Sequence, residues 1–195
     1  MDPLNLFFIQ EIKSKLSQSE KTFIEETDSI DLIRASVLIP ITRIENELVI
    51  LFTKRTGIVN NHQNQISFPG GKIEDHDLNP LTASIRETYE EIGISEGEIE
   101  ILGNLNPRKT TTGFLIFPFV GFVWNLANIR LNKLEVEKII YIPIDWLQNT
   151  ANSHYELYEG KSNVHHHALF YSNYDGEIVW GVTASLVRDL FQEIK

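Results

Sequence analysis

Apolar residues near the start of the chain recur at a helical interval. Leu4, Phe7, Phe8, Ile12 and Leu16 are interleaved with Glu11, Lys13 and Lys15, so the first twenty residues read as an amphipathic helix. The pattern then changes to runs of β-branched and aromatic residues. Residues 34–55, RASVLIPITRIENELVILFTKR, hold two such runs separated by Glu45-Asn46-Glu47, which predicts a hairpin. EIEILGNL, FLIFPFVGFVW and EKIIYIPI predict further strands. Between them, residues 80–92 read as a helix. Asn79 is placed to cap it, Pro80 suits its first position and Gly93 its end. Ile85, Tyr89 and Ile92 make its expected buried stripe. The tail predicts two strands around Tyr174-Asp175-Gly176 and then a closing helix. Strands and helices mixed in this way point to an α/β (α+β) class with a mixed sheet between helices.

Composition changes this picture little. A chain of 195 residues, 42% hydrophobic and 23% charged, suits one compact domain. The helical pattern of residues 1–33 reads as an extension on a domain of residues 34–195. Charge says more. With 17 basic against 27 acidic residues the formal net charge is -10, which argues against a general nucleic-acid or acidic-membrane binder. An anionic substrate would need bound metal or a few placed Lys and Arg. Cysteine is absent, which removes disulfides, thiol catalysis and thiolate metal sites. The N-terminus lacks the basic start and unbroken apolar stretch of a signal peptide, and FLIFPFVGFVW is too short for a membrane helix. These features fit a protein of the reducing cytoplasm. The amphipathic N-terminal helix could serve a homodimer or cap the domain.

Against that acidic background, RETYEEIGI (residues 86–94) gathers Glu87, Glu90 and Glu91 on adjacent helical turns. Successive residues turn by about 100°, so Glu87 and Glu91 sit nearly above one another with Glu90 beside them. Ala83, one turn earlier, leaves room above the carboxylates. Left bare, such carboxylates repel. They become an asset when a hard divalent cation binds, because Mg²⁺ takes oxygen ligands and shares its shell with substrate phosphates. The competing reading is a solvated acidic face with Arg86 paired to a neighbouring glutamate. The upstream SFPGGKIEDHD bears on the choice. Gly70 and Gly71 let backbone groups approach a ligand closely just where the chain turns toward the acidic helix.

Taken together, GGKIEDHDLNPLTASIRETYEEIGI resembles the Nudix box, G-x5-E-x7-R-E-U-x-E-E-x-G-U with U apolar. Arg86, Glu87, Glu90, Glu91, Gly93 and Ile94 match, and Thr88 stands at the first U. The first half departs: the stretch from Gly71 to Arg86 is one residue longer, and Asp77 stands near the expected glutamate. That longer spacing is found in the coenzyme A diphosphatase subgroup. LFTKRTGIVNNHQNQISFPGG (51–71) is similar to its motif L-L-T-x-R-S-x3-R-x3-G-x3-F-P-G-G, with Leu51, Thr53, Arg55, Phe68, Pro69, Gly70 and Gly71 in register. TTGFLIFPFVG, LEVEKIIYIPIDWL and VWGVTA resemble later segments, so the likeness covers roughly residues 34–192. Asn60 stands where the motif has arginine, which removes a cation, and Asn64 where it has glycine.

The resemblance implies an α-β-α sandwich around a mixed sheet. It also implies hydrolysis of coenzyme A or acyl-CoA to 3',5'-ADP and a 4'-phosphopantetheine product, dependent on Mg²⁺ or Mn²⁺. Glu87, Glu90 and Glu91 would hold metal, with a carbonyl of Gly70 or Gly71, and Arg86 would orient a glutamate. The proton acceptor would be Glu91, Glu87 or a glutamate of LEVE. There Glu135 aligns best, and Glu137, two residues on, would share its side if the segment is extended. Arg55 and Lys72 could meet phosphate, although a strand-end arginine is as often a surface ion pair. Phe114 could stack on a base or line the pocket, though such residues more often pack in a core. His165, His166 and His167 have no visible acidic partner and are not expected to bind metal. Two other functions remain open. The losses at positions 60 and 64 could favour ADP-ribose, a dinucleotide or a nucleoside triphosphate. The fold could also serve as a binding module without turnover, although such modules typically lose box glutamates and this chain keeps them.

Overall fold

A computed structural model describes residues 3–18, 32–57, 65–159 and 165–195. The predicted hairpin is present as β1 (Ile33–Ile44) and β2 (Glu47–Arg55). Its strands pair only from Ile41↔Ile50 to Ile44↔Glu47. Beyond that point they part, and residues 66–72 fill the gap. There β3 (Ile66–Ser67) pairs with β2 through Thr53↔Ser67, and β4 (Gly70–Lys72) pairs with β1 through Val37↔Gly70, Ser36↔Gly71 and Ala35↔Lys72. The Leu38 amide donates to the Pro69 carbonyl at 3.0 Å, and the rings of Phe52 and Phe68 stack with centroids 5.0 Å apart. The two glycines are therefore fixed inside the sheet rather than carried on a free loop.

The rest of the sheet grows outward from this split hairpin. After α2 (Pro80–Ile92) come β5 (Ile99–Asn104), β6 (Arg108–Lys109), β7 (Phe114–Val123) and β8 (Val136–Pro143). β7 runs parallel to β1 from Ile33↔Phe114 to Ile41↔Phe122, while β5 and β6 lie antiparallel on β7 and β8 antiparallel on β2. The result is an eight-stranded mixed sheet. The larger core joins Ile39, Ile50 and Phe52 of the sheet to Ile9, Ile12 and Leu16 of α1 (Pro3–Gln18), Leu147 of α3 (Ile144–Gln148) and Leu186, Val187 and Leu190 of α4 (Gly181–Glu193). A smaller core joins Leu51, Val123 and Val136 to Ile92 and Ile94 at the end of α2. Helices thus cover both faces, as expected for the mixed class. No described helix is long and apolar enough to cross a membrane.

Three expectations change. In α1 the buried face is Ile9, Ile12 and Leu16, while Phe7 is 66% exposed. The helix packs on β5, where Leu16 lies so close to Gly103 that any side chain there would collide with it. In the tail, the first expected strand is present over residues 165–171, but after the Tyr174-Asp175-Gly176 turn the second is replaced by the isolated bridges Tyr174↔Glu177 and Phe170↔Trp180. β10 (His165–Tyr171) instead pairs with β9 (Ser153–Glu159), forming a separate two-stranded sheet. In α2, Tyr89 is 60% exposed and the buried residues are Ala83, Ser84, Thr88, Glu91 and Ile92. This helix turns a polar stripe to the sheet, because its hydroxyls satisfy themselves locally: Ser84 Oγ donates to the Leu81 carbonyl and Thr88 Oγ1 to the Ser84 carbonyl. Small side chains that need no outside partner let α2 lie close, and they carry the carboxylates inward with them.

Candidate active site

The ends of α2 are built as the sequence predicts. Asn79 Oδ1 accepts from the Thr82 amide while Thr82 Oγ1 accepts from the Asn79 amide, a reciprocal cap. Gly93 closes the helix at φ 77°, a left-handed conformation that glycine adopts without strain, and donates to the Tyr89 carbonyl. Glu87, Glu90 and Glu91 are thus held on a helix with both termini fixed.

Their environments differ sharply. The Glu91 side chain is 4% exposed and that of Glu87 15%, whereas Glu90 is 52% exposed. The Glu87 carboxylate fills the space where Gly71 has no side chain: a Cβ on Gly71 would fall 2.4 Å from Glu87 Cδ. Burial pushes the Glu87 carboxyl up, and hydrogen bonding to Arg86 partly opposes this. Glu91 is the extreme case. Burial pushes its carboxyl up to about 8, with Arg55 opposing the shift and Glu87 and Glu135 adding to it. Arg55 Nη1 lies 4.0 Å from Glu91 Oε1, too far for a hydrogen bond. Glu91 Oε2 and Arg55 Nε are buried with no hydrogen-bond partner. A buried carboxylate oxygen of this kind is suited to hold a cation, one of the few groups that would satisfy it.

Arg86 organises the outer half of the cluster. Its Nε and Nη2 donate to the two oxygens of Asp77, Nη2 also to the Lys72 carbonyl, and Nη1 to Glu87 Oε1 at 2.9 Å and Glu90 Oε2 at 3.0 Å. The guanidinium holds the Asp77 carboxyl below its usual range. Asp77, whose side chain is 3% exposed, also accepts from the Glu74 amide. One planar fork therefore ties the β4 turn to the acidic helix. Arg86→Lys keeps the charge and loses the fork. It should lower turnover by roughly tenfold to a hundredfold, the usual cost of removing a group that orients metal ligands, as measured by steady-state kinetics.

Glu135 lies on the far side. Its amide donates to the Asn132 carbonyl, its carbonyl accepts from Thr56, and its Oε1 accepts from Asn132 Nδ2 at 3.0 Å. Its charge pushes the carboxyls of both Glu87 and Glu91 upward. Glu137 does not share this side. β8 begins only at Val136, so Glu135 belongs to a turn and not to an extended segment, and Glu137 lies 3.9 Å from Lys54 Nζ. The Lys72 side chain is exposed, and its carbonyl is the part engaged. Phe114 is half-buried against the main core. Asn60 and Asn64 lie outside the described residues, as do the side chains of His165 and His166; His167 is exposed on β10. A cavity of about 690 Å³ lies elsewhere, between Leu105–Lys109 and the end of α4. It carries none of these groups, so chemistry rather than volume locates the site.

Among the described residues, no three His, Asp or Glu side chains converge tightly enough to form a ready-made cation cluster. The reason is visible: Arg86 draws Glu87 and Glu90 outward while Glu91 turns toward Arg55. The donor set nonetheless fits a hard divalent cation. It offers carboxylate oxygens, one of them buried and unsatisfied, with the Glu87 carboxylate packed against Gly71, where no side chain competes for the space. Asn132 and Thr56 escaped the sequence reading. The signal for Asn132 is that an asparagine can close an Asx turn with the amide two residues on, here Leu134; Thr56 carries none.

Comparison with known proteins places the arrangement. The NUDIX domain profile matches residues 32–160. A Photorhabdus laumondii protein named Uncharacterized Nudix hydrolase NudL is 30% identical over 161 residues, covering 83% of this chain and 84% of its own. An Enterobacter protein of the same name is 32% identical over 167 residues, covering 86% and 85%. Among solved structures, a MutT/nudix family protein from Enterococcus faecalis superposes with TM-score 0.53 at 14% identity, covering 100% of this chain and 74% of that one. A Deinococcus radiodurans structure does so with TM-score 0.53 at 15% identity, covering 87% and 90%. These two likenesses speak for the fold alone. With a glycine turn set against a buried acidic helix and a domain profile covering most of the chain, the protein belongs to the Nudix hydrolase family, pyrophosphohydrolases that generally use divalent metal ions.

Proposed function

We propose that the chain hydrolyses the diphosphate of coenzyme A or an acyl-CoA, giving 3',5'-ADP and a 4'-phosphopantetheine product. The observation that carries the reading is the buried, unsatisfied Glu91 oxygen one helical turn from Glu87, whose carboxylate packs against Gly71. The subgroup assignment is supported by the residues in register from Leu51 to Gly71. Glu87, Glu90 and Glu91 would hold Mg²⁺ or Mn²⁺. Bound there, the ion supplies neutralising charge for the diphosphate oxygens and acidifies the attacking water. Arg86 keeps Glu87 and Glu90 in place, and Arg55, next to Glu91, faces the phosphate. Glu135 accepts the water's proton as the water oxygen bonds to phosphorus and the bridging P–O bond breaks. Glu135 suits this role because its backbone and one carboxylate oxygen are tied down, while Glu87 and Glu91 are committed to the cation.

A second reading keeps the chemistry and changes the substrate. Asn60, in place of an arginine, favours a nucleoside diphosphate linked to another group, such as ADP-ribose or a dinucleotide, or a nucleoside triphosphate. The experiment is a substrate panel with Mg²⁺ or Mn²⁺ and chromatography of products. Release of 3',5'-ADP from CoA supports the first reading. A preference of about tenfold, some 1.4 kcal/mol in kcat/KM, for a non-CoA diphosphate decides for the second.

A further inference from the structure

Asn132 uses every polar group it has. Its amide donates to the Glu91 carbonyl at 2.9 Å, and its carbonyl accepts from the amides of Glu135 and Val136. Its Oδ1 accepts from the Leu134 amide at 3.2 Å, and its Nδ2 donates to Glu135 Oε1 at 3.0 Å. The Leu134 amide can only donate, which fixes which end of the side-chain amide faces it and leaves the NH₂ for Glu135. Thr56, which follows Arg55, closes the other side: its amide donates to the Glu135 carbonyl and its Oγ1 to the Leu134 carbonyl. The turn carrying Glu135 is therefore bolted both to the last turn of α2 and to the end of β2, the two elements that bear Glu91 and Arg55.

We infer that Asn132 is a positioning residue that aims the Glu135 carboxylate at the acidic face of α2. Two separable tasks meet in one side chain. The Oδ1 acceptor builds the turn, as an Asx turn does. The Nδ2 donor has no part in the turn. It grips Oε1 of Glu135, so that the second oxygen takes a defined direction. A half-buried carboxylate without that bond would sample several rotamers, and proton transfer needs one geometry. This inference rests on the hydrolytic reading proposed above.

Asn132→Asp separates the two tasks, since it keeps the turn-building acceptor, loses the donor and places a like charge beside Glu135. Against whichever diphosphate the wild-type protein cleaves, the variant should lose on the order of tenfold or more in kcat with KM changed by less than about twofold. Its thermal midpoint should stay within about 3 °C of wild type, less than 1–2 kcal/mol for a chain of this size. In a Glu135→Ala background the same change should cost less than about twofold, because there is no carboxylate left to aim. An equal loss in both backgrounds, or no loss from Asn132→Asp or from Glu135→Ala, overturns the inference. If Asn132→Asp does not fold, Asn132→Ser takes its place, for its hydroxyl serves the turn and is too short to reach Glu135. Absence of wild-type turnover on every substrate of the panel defeats the hydrolytic reading itself, and wild-type turnover indifferent to Asn132 defeats this assignment alone.

Discussion

Glu91→Gln should cut turnover roughly a thousandfold, about 4 kcal/mol of transition-state stabilisation, while leaving the fold intact. Glutamine keeps the shape of the side chain and removes the charge that would hold a cation. The same change should alter how stability depends on pH. Glu91 has an ordinary value of 4.5, raised in the fold to about 8 by burial, with Arg55 opposing and Glu87 and Glu135 reinforcing the rise. A carboxyl whose value rises on folding binds its proton more tightly in the native state. Stability is then greatest below the unfolded value and is lost as pH climbs through the folded one. In chelator, the thermal midpoint of the wild type should therefore fall between about pH 5 and pH 8 and level off above that, and that of Glu91→Gln should fall much less. Added Mn²⁺ should restore the wild type at high pH and do little for the variant, because a ligand stabilises only the state that binds it. Folded variant and wild type that both lack turnover above background, by steady-state kinetics, would favour a binding module over an enzyme, whereas equal substantial turnover would remove Glu91 from the chemistry.

Gly71→Ala is expected to produce the second large loss, and its neighbour supplies the control. A Cβ on Gly71 would sit 2.4–2.6 Å from the carboxylate atoms of Glu87. Those atoms end a flexible side chain, so the helix need not move, but the carboxylate must. The variant should fold with a thermal midpoint close to wild type and lose roughly a hundredfold in turnover, within the range found when a metal site's support is disturbed. Gly70→Ala meets backbone instead: Ser36 O at 2.4 Å and Val37 Cα at 2.7 Å. The β1–β4 pairing has no room to give, so that variant should lose stability by about 1–3 kcal/mol, read as an earlier urea midpoint. If both glycines behaved alike, the twin-glycine turn would be a purely structural device.

How much of this was written in the sequence depends on the range of the interaction. Local chemistry was legible. Asn79, Pro80 and Gly93 bound α2 because capping is settled within a few residues, and Glu45 to Glu47 turn the β1–β2 hairpin for the same reason. Long-range packing was harder to read. Tyr89 looks like core by periodicity, yet the sheet receives Ser84, Thr88 and Glu91 instead. A hydropathy pattern selects the apolar side of a helix, and here the polar side is buried for its chemistry. β9 was missed because SHYELYE lacks a regular alternation, with Ser153, His154, Glu156 and Glu159 polar, and is held by pairing with β10. At the site, the Glu87 carboxylate packs against Gly71. Asp77, noted as standing near a missing glutamate, turns out to take both inner nitrogens of the Arg86 fork. Nothing local announced that the hairpin would split and take residues 66–72 between its strands. That wedge sets the glycines against α2, and it exists only in the folded sheet.

The central claim is that the carboxylates of Glu87 and Glu91 bind a divalent cation, and manganese reads it directly. Crystals grown or soaked in Mn²⁺ should show an anomalous peak about 2.1 Å from carboxylate oxygens of Glu87 and Glu91, and the peak should be lost in Glu91→Gln. A pocket without anomalous signal at saturating manganese, with Glu91 still facing Arg55 and Glu87 still on Arg86, would contradict the account.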